Sequence, residues 1–449
     1  MIEELLRRNS ESYMLKLEKF IFYVFIFCLP FQVRKIIYQF SEDFNEWTSA
    51  YIYLTDILLV FVFLLWVLRE RKQRLLEEPL KLFQLKSPSF WLVAFLILSL
   101  ISLIQARSIN LGFYSWIKLL EMIILFFYLK CNFKRLFSFE KLFYIFVFSG
   151  LFQSFVAISQ YIQQKSLGLK ILTESPLSSE IAGVAKIIIN GTETIRVYGT
   201  FPHPNVLAVF MFLCIFFTFY LFLKKGNSFR NHIFLLIVFF FLFFTLFLTY
   251  SRLVIFTFLL SSIIYFILLF KKQKRQILSL FLLIAVCLFI IVYFAWPEVS
   301  SRFHILAGEQ SIGLRLFYSQ TSFLIIQENP LLGIGTGNFV WEIRQMLDLL
   351  SSWIHQPVHS VYLLIASETG LIGLFIFLMF LYQLLRKFNK ELKNKKNYLL
   401  FFIICAFLFL GLFDHFFWTL QQGQLMFWLI LGLMAGCFLK NKKNCVLER

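Results

Sequence analysis

The sequence predicts an all-α protein that crosses a membrane about twelve times. Of its 449 residues, 59% are hydrophobic, 62 are phenylalanine and only 15% are charged, whereas a soluble domain is about 45–50% apolar and about 25% charged. The apolar residues fall in stretches of about 20, the length of a membrane-spanning helix, and basic residues cluster in alternate connections between them. This composition excludes a soluble enzyme, a disordered chain and a small secreted domain.

The chain is predicted to form one polytopic domain, residues 1–449. The first apolar stretch is long and lacks a small-residue cleavage site, so we do not expect it to be a cleaved signal peptide. The seven cysteines include no C-x-x-C pair, so neither a disulfide framework nor a thiolate metal site is indicated. The predicted spans are 20–37, 51–68, 88–105, 111–129, 142–162, 204–223, 233–249, 253–270, 277–296, 359–385, 398–417 and 423–439.

The net charge of +18 indicates topology rather than nucleic-acid binding. Alternate connections and the two ends of the chain hold 31 of the 43 lysines and arginines. Because cytoplasmic loops retain basic residues, both termini are predicted to be cytoplasmic and the number of spans even. The expected partner of the surface is therefore a lipid bilayer, and no nucleic acid is expected.

Two connections are long, residues 163–203 and 297–358, and both are predicted to be extracytoplasmic and to contain short interfacial helices. In the second, apolar side chains from Phe339 to Leu350 recur at helical spacing, which predicts a short helix in the membrane interface. The run 314–327 is also predicted to be helical and to stop before Asn329-Pro330. The alternative that these loops only cover the helical bundle, without a functional role, stays open.

Four places carry isolated arginines or histidines at this predicted outer face. Arginine near a membrane is costly unless it is paired, reaches the headgroups or lines a water-filled cavity. Contact with headgroups would explain any one of these arginines, but three of them with a histidine favour a site for a compact anion such as a diphosphate. The four places are RVYGTFPHPN at 196–205, TYSR at 249–252, GLRLFYSQTSFLIIQENPLLGIGTGNF at 313–339 and HSVYLLIASETGLIG at 359–373.

Three other patterns are weaker. The G-x-G-x-G at 333–337 lacks the G-K-[ST] ending of a phosphate loop, so it is predicted to be a flexible turn. His355 and His359 have the spacing of zinc ligands, but a proline lies between them and no Glu follows His355, so no metal site is predicted. The pair Asp414-His415 is predicted either to form a second polar site or to pack against neighbouring helices.

The four places resemble, in order along the chain, the recurring blocks of the O-antigen ligase and polymerase superfamily. These are bacterial integral-membrane glycosyltransferases of the GT-C type. The strongest local similarity is His359-Ser360 followed, nine residues later, by Gly370-Leu-Ile-Gly373. The other similar blocks are Arg196 with GTFPHPN, the S-R pair at 251–252 and Arg315 followed by ENPLLGIGTGNF.

Two departures from the family pattern leave ligase and polymerase as alternatives. Ligases commonly have Asn after the histidine and Gly after the S-R pair, where this chain has Ser360 and Leu253. The resemblance implies an O-antigen ligase-like core region at 233–385, which includes the second long loop.

The resemblance implies transfer of a glycan from undecaprenyl diphosphate to a hydroxyl of a lipid-linked or other cell-envelope acceptor. The reaction would take place at the extracytoplasmic face of the cytoplasmic (inner) membrane, with inversion and without a metal or cofactor. Envelope polysaccharide assembly proteins could be further partners.

The resemblance also implies roles for particular residues. His359 would act as the general base, because a neutral imidazole can take the proton of a sugar hydroxyl. Arg196, Arg252 and Arg315 would bind the diphosphate through two-pronged contacts. His203 and Asn205 are further substrate-binding candidates at the mouth of the sixth span, where Pro204 suits the first helical turn.

A polysaccharide flippase or transporter is the alternative from a different class. Transporters commonly show internal symmetry, and no clear repeat is evident here. The polar residues also gather at one face rather than at mid-membrane. The sequence therefore favours glycan transfer over transport and over a purely structural envelope scaffold.

Overall fold

The structure, a computed structural model, describes residues 2–73, 85–189, 191–224, 226–294, 296, 310–347, 354–392 and 394–438. Most of these residues are helical, which confirms the predicted class. The helices are α1 (Ile2–Cys28), α2 (Leu54–Gln73), α3 (Pro88–Ile101), α4 (Ile109–Leu136), α5 (Phe139–Gln163), α6 (Pro204–Phe222), α7 (Phe229–Leu248), α8 (Arg252–Phe294), α9 (Gln310–Glu328), α10 (Phe339–Met346), α11 (Val361–Asn389), α12 (Lys395–Leu410), α13 (Phe416–Thr419) and α14 (Gln421–Gly436).

Eight helical segments in the described part of the chain are long and apolar enough to cross a membrane. Helices α12 and α14, with 16 residues each, are shorter than the roughly 20 residues that span a bilayer. The chain is thus a multi-pass membrane protein, and the count of twelve spans stays a prediction. The eight segments are Pro88–Gln105, Ile109–Leu136, Phe139–Gln163, Pro204–Phe222, Phe229–Leu248, Arg252–Lys271, Gln273–Tyr293 and Val361–Asn389.

The first two predicted spans are partly wrong, because a β-hairpin lies between them. Helix α1 ends at Cys28, two residues before a proline, which cannot continue a helix. Strand β1 (Arg34–Gln39) then pairs antiparallel with β2 (Ser49–Tyr53). Their isoleucines and tyrosines favour strands, but most of these residues lie within the ends of the predicted spans 20–37 and 51–68.

Two helices are interrupted. Helix α8 covers the eighth and ninth predicted spans and departs from helical geometry at Gln273. Helix α11 is broken at Gly370, where φ is 70° and ψ is 177°. A Cβ atom at Gly370 would lie 2.0 Å from the carbonyl oxygen of Leu331, so the segment before α10 packs directly into the break. The backbone N–H of Leu371 donates to the carbonyl of Pro330 (2.8 Å).

The two long loops differ in content. The first holds a hairpin of β3 (Lys186–Ile189) and β4 (Thr192–Ile195) and one short 3₁₀ turn rather than an interfacial helix. The second holds α9, which ends just before Asn329-Pro330 as predicted, and α10 at the predicted helical spacing. Residues 297–309 and 348–353 of the second loop lie outside the described residues.

Helix α6 is the most deeply buried of the eight candidate spans, with nearly all of its residues inside the protein. It packs against α5, α7, α8 and α12. At the end of the bundle where α6 begins, α7 turns into α8, and the backbone N–H of Val361 at the start of α11 donates to the carbonyl of Gly411 after α12 (2.8 Å). Four segments that are distant in sequence therefore meet at this end.

Candidate functional site

Arg196 follows strand β4 and joins two of these segments. Its Nε donates to the carbonyl oxygen of Thr249 in the α7–α8 turn (2.7 Å), and a terminal guanidinium nitrogen donates to Oδ1 of Asn205 (2.7 Å). The side chain is half-buried. The first two predicted places, 196–205 and 249–252, are thus joined through this one guanidinium.

His203 caps the start of α6, with Pro204 at the first helical turn as predicted. Its Nδ1 accepts the backbone N–H of Asn205 (3.1 Å), so the proton of the neutral ring lies on Nε2. Burial, together with the positive charge of Arg196, lowers the pKa of His203 to about 3. The residue is therefore a neutral hydrogen-bond donor at neutral pH.

Asn205 is the centre of a polar network. Its Oδ1 accepts from Arg196 and from the hydroxyl of Ser251 (3.1 Å), while its Nδ2 donates to Oδ2 of Asp414 (3.0 Å). An amide offers two acceptor and two donor positions, and three of these are used within the protein. This geometry holds neighbouring side chains in place.

Asp414 and His415 lie after α12 and complete the network. The backbone N–H of His415 donates to Oδ1 of Asp414 (2.8 Å), and Nδ1 of His415 lies 2.7 Å from the hydroxyl of Thr419. Both residues are buried. The structure shows both of the alternatives that the sequence left open for this pair: Asp414 joins the polar network of Asn205, and the ring of His415 packs against Trp47.

His359 lies directly before Ser360, the N-terminal cap of α11. Its ring lies between that of Tyr318 (centroids 5.9 Å apart, stacked) and that of His415 (5.1 Å, edge-on). Its Nδ1 is buried and has no hydrogen-bond partner among the described residues. The half-buried imidazole is thus oriented by packing on two sides.

The pKa of His359 lies below the ordinary histidine value of 6.5. Burial is the largest cause, and the positive charge of Arg315 acts in the same direction. The carboxylate of Asp414 and the backbone of Pro357 oppose the shift by favouring the protonated ring. At neutral pH the imidazole is therefore neutral and able to accept a proton.

Arg315 and Arg252 present exposed side chains at this end of the bundle. Arg315 lies in the second turn of α9, close enough to act electrostatically on His203, His359 and Asp414. Arg252 is the first residue of α8, next to the buried Ser251. The structure thus brings together five of the predicted residues: Arg196, Asn205, His203, His359 and Arg315. Arg252 lies beside them, because the neighbouring Ser251 bonds to Asn205.

His355 is held apart from this group. Its Nε2 lies 2.9 Å from the carbonyl oxygen of Leu347, and its own carbonyl accepts from Nδ2 of Asn45 (3.1 Å). It is a buried loop residue whose ring fixes the chain before α11. Within the described parts of the chain, no group of three or more His, Cys, Asp or Glu side chains has a geometry that could hold a metal ion.

The fold and this site define a class: a multi-pass membrane protein with a histidine and several arginines at one end of its helical bundle. The sequence profile of the O-antigen ligase family matches residues 237–378. This match supports membership of the O-antigen ligase superfamily, a bacterial inner-membrane family of glycosyltransferase-like enzymes. It includes three of the four similar sequence blocks, those at 249–252, 313–339 and 359–373, while the block at 196–205 lies outside it. No curated protein matches the chain.

Proposed function

We propose that the protein is an O-antigen ligase-like glycosyltransferase. It moves a glycan from undecaprenyl diphosphate to a hydroxyl of a lipid-linked or other cell-envelope acceptor. The observation that carries this proposal is the meeting, at one end of the bundle, of a neutral half-buried imidazole, a carboxylate and arginines from segments more than 200 residues apart in sequence.

The arginines act on the diphosphate. Guanidinium groups match phosphate oxygens bidentately, and they stabilise the negative charge that grows on the diphosphate as its bond to the sugar breaks. Arg252 and Arg315 have exposed side chains that a lipid-held diphosphate can reach. Arg196 is held by Asn205, which acts as a positioning residue, and His203 offers the proton on its Nε2 as a neutral donor.

His359 acts as the general base. The acceptor hydroxyl oxygen bonds to the anomeric carbon from the side opposite the diphosphate, which inverts the configuration there. The bond between that carbon and the phosphate oxygen breaks, and its electron pair leaves with undecaprenyl diphosphate. The hydroxyl proton passes to His359, and the carboxylate of Asp414 favours the imidazolium that results. No nucleotide is required, because the diphosphate is itself the leaving group.

The site is proposed to face outward, with both termini in the cytoplasm. The support is that basic residues concentrate in the connections at the other end of the helices, as the rule for cytoplasmic loops requires. In a cysteine-depleted variant, Thr192→Cys should react with an impermeant thiol reagent in intact cells, whereas Arg230→Cys should react only after lysis. The reverse pattern would contradict this orientation.

Transfer itself is tested with purified protein in lipid nanodiscs, an undecaprenyl-diphosphate oligosaccharide as donor and a lipid-linked glycan from the source envelope as acceptor. The expected product is the acceptor extended by the donor glycan, with release of undecaprenyl diphosphate. Movement of the donor across a bilayer without bond cleavage would instead support a flippase. Extension of one donor molecule by another, without any separate acceptor, would identify the polymerase alternative.

A further inference from the structure

A cavity lies beside the site and is not used by the proposed chemistry. It has a volume of about 130 Å³ and is walled by the rings of Trp47, Tyr51, Tyr53 and Trp418. This is room for roughly ten water molecules, and a sugar ring with its substituents has about as many non-hydrogen atoms. Small-molecule sites typically combine such aromatic walls with a few placed polar groups.

Two polar groups at this cavity have no partner in the described protein. The hydroxyl of Tyr51 and Oε1 of Gln421 are buried without a hydrogen bond, although both residues line the cavity. Leaving a buried polar atom without a hydrogen bond is unfavourable, so such atoms mark a place where a ligand can provide the missing bonds. A hydroxyl and an amide oxygen suit the hydroxyl groups of a sugar.

The charge of the cavity does not suit a phosphate. Its one lysine, Lys118, is held by two carboxylates, Asp56 Oδ1 at 2.7 Å and Glu121 Oε2 at 2.8 Å. Glu46 in the wall is paired with Arg34 (2.6 Å). The arginines assigned to the diphosphate do not line the cavity. An uncharged, hydroxyl-rich ligand therefore fits better than an anion.

The cavity is also separated from the proposed base by only two side chains. Trp47 lines it and packs edge-on against His415 (centroids 5.2 Å apart), whose ring in turn contacts His359. Thr419 likewise lines it and lies 2.7 Å from Nδ1 of His415. A sugar bound here would hold a neighbouring hydroxyl near the imidazole. We infer that this cavity binds a neutral sugar residue of the acceptor glycan, an inference that rests on the proposed transfer.

The test uses Tyr51→Phe, which removes the unpartnered hydroxyl and keeps the ring. Tyr265→Phe is a matched control, because Tyr265 also has a buried hydroxyl without a described partner but does not line the cavity. Saturation-transfer NMR on protein in nanodiscs would measure binding of the methyl glycosides of glucose, galactose, mannose and N-acetylglucosamine. One lost hydrogen bond should weaken binding, and raise the acceptor KM, about 3- to 10-fold. The kcat, the donor KM and the control variant should stay unchanged.

Several results would overturn the inference. The inference fails if the wild type binds no glycoside, or if the wild type and Tyr51→Phe bind the glycosides equally. It also fails if the substitution raises the donor KM instead of the acceptor KM. If Tyr51→Phe weakens glycoside binding but the wild type transfers no glycan, the cavity is a sugar site and the proposed function is what fails.

Discussion

Two buried polar clusters in this protein are built on different principles. In the first, Glu18 and Arg69 form a two-pronged ion pair (2.8 and 3.1 Å), and Asn132 and Tyr128 bond to it at 2.6 and 2.9 Å. In the second, at the start of α11, the buried Nδ1 of His359 has no partner among the described residues, and nearby arginines have exposed side chains.

The difference separates a structural use of buried polarity from a functional one. In the first cluster each charged group meets its partners inside the chain, which offsets the cost of taking it out of water. In the second, the network of Asn205 and Asp414 holds groups that we propose to act on a substrate. Changes in the first cluster should therefore affect folding, and changes in the second should affect turnover.

The largest effect on stability is expected for Glu18→Gln. The substitution removes the carboxylate that pairs with the buried guanidinium of Arg69, and breaking such a buried ion pair typically costs about 3–5 kcal/mol. Denaturation of the protein in detergent micelles would measure this loss, and the activity of the remaining folded protein should be unchanged. The double variant Glu18→Met/Arg69→Met should recover much of the stability. Equal loss in the single and double variants would show that the ion pair is not the cause.

Asp414→Asn should reduce turnover without reducing stability to the same extent. The amide keeps the shape of the side chain but no longer favours the protonated form of His359, so we expect kcat to fall roughly 10- to 100-fold with little change in donor affinity. The exposed Asp43→Asn is the matched control. A normal kcat in Asp414→Asn would leave the carboxylate with a structural role only.

Arg196→Lys, Arg252→Lys and Arg315→Lys should each reduce kcat/KM for the donor by roughly tenfold. Lysine retains the charge but loses the planar two-pronged contact. The control is Arg107→Lys, an exposed arginine paired with Glu342. Steady-state kinetics with a purified lipid-diphosphate oligosaccharide would measure the effect. Full activity in all three variants would contradict the diphosphate assignment and would indicate that these arginines only contact lipid headgroups.

The smallest expected effect is that of mild acid. The active form of His359 is neutral, so activity falls as the pH decreases through its pKa, which lies below 6.5 because of burial and Arg315. The kcat/KM, which reports the free enzyme, should therefore keep more than half of its maximal value at pH 6.5. A decline with its midpoint above pH 6.5 would be inconsistent with this environment of His359.

Sequence patterns predicted the helices better than the short elements between them. Long apolar runs such as Pro204–Phe222 have one stable arrangement in a membrane, so their type and approximate bounds could be read directly. The hairpin of β1 and β2 could not, because its isoleucines and tyrosines are as apolar as the spans that flank them. Only the pairing of β1 with β2, which begins ten residues after β1 ends, distinguishes these residues from a helix.

The site was predictable to the extent that its residues lie in recognisable blocks. Arg196, Arg315 and His359 stand in such blocks, and the structure brings them to one end of the bundle. The role of Asp414 could not be assigned, because its contact with Asn205 joins residues 209 positions apart. Trp47 was missed for the same reason, since its contact with His415 exists only in the folded chain.

The most direct test of the account is to compare turnover and donor binding in His359→Ala. If His359 is the base, turnover should fall about 10²- to 10⁴-fold, while binding of the undecaprenyl-diphosphate oligosaccharide survives on the arginines. His355→Ala, which removes a buried histidine held by a backbone carbonyl, should lower stability but leave the turnover of folded protein nearly normal. Near-normal turnover in His359→Ala, or a loss of donor binding equal to the loss of turnover, would contradict the assignment of His359 as the base.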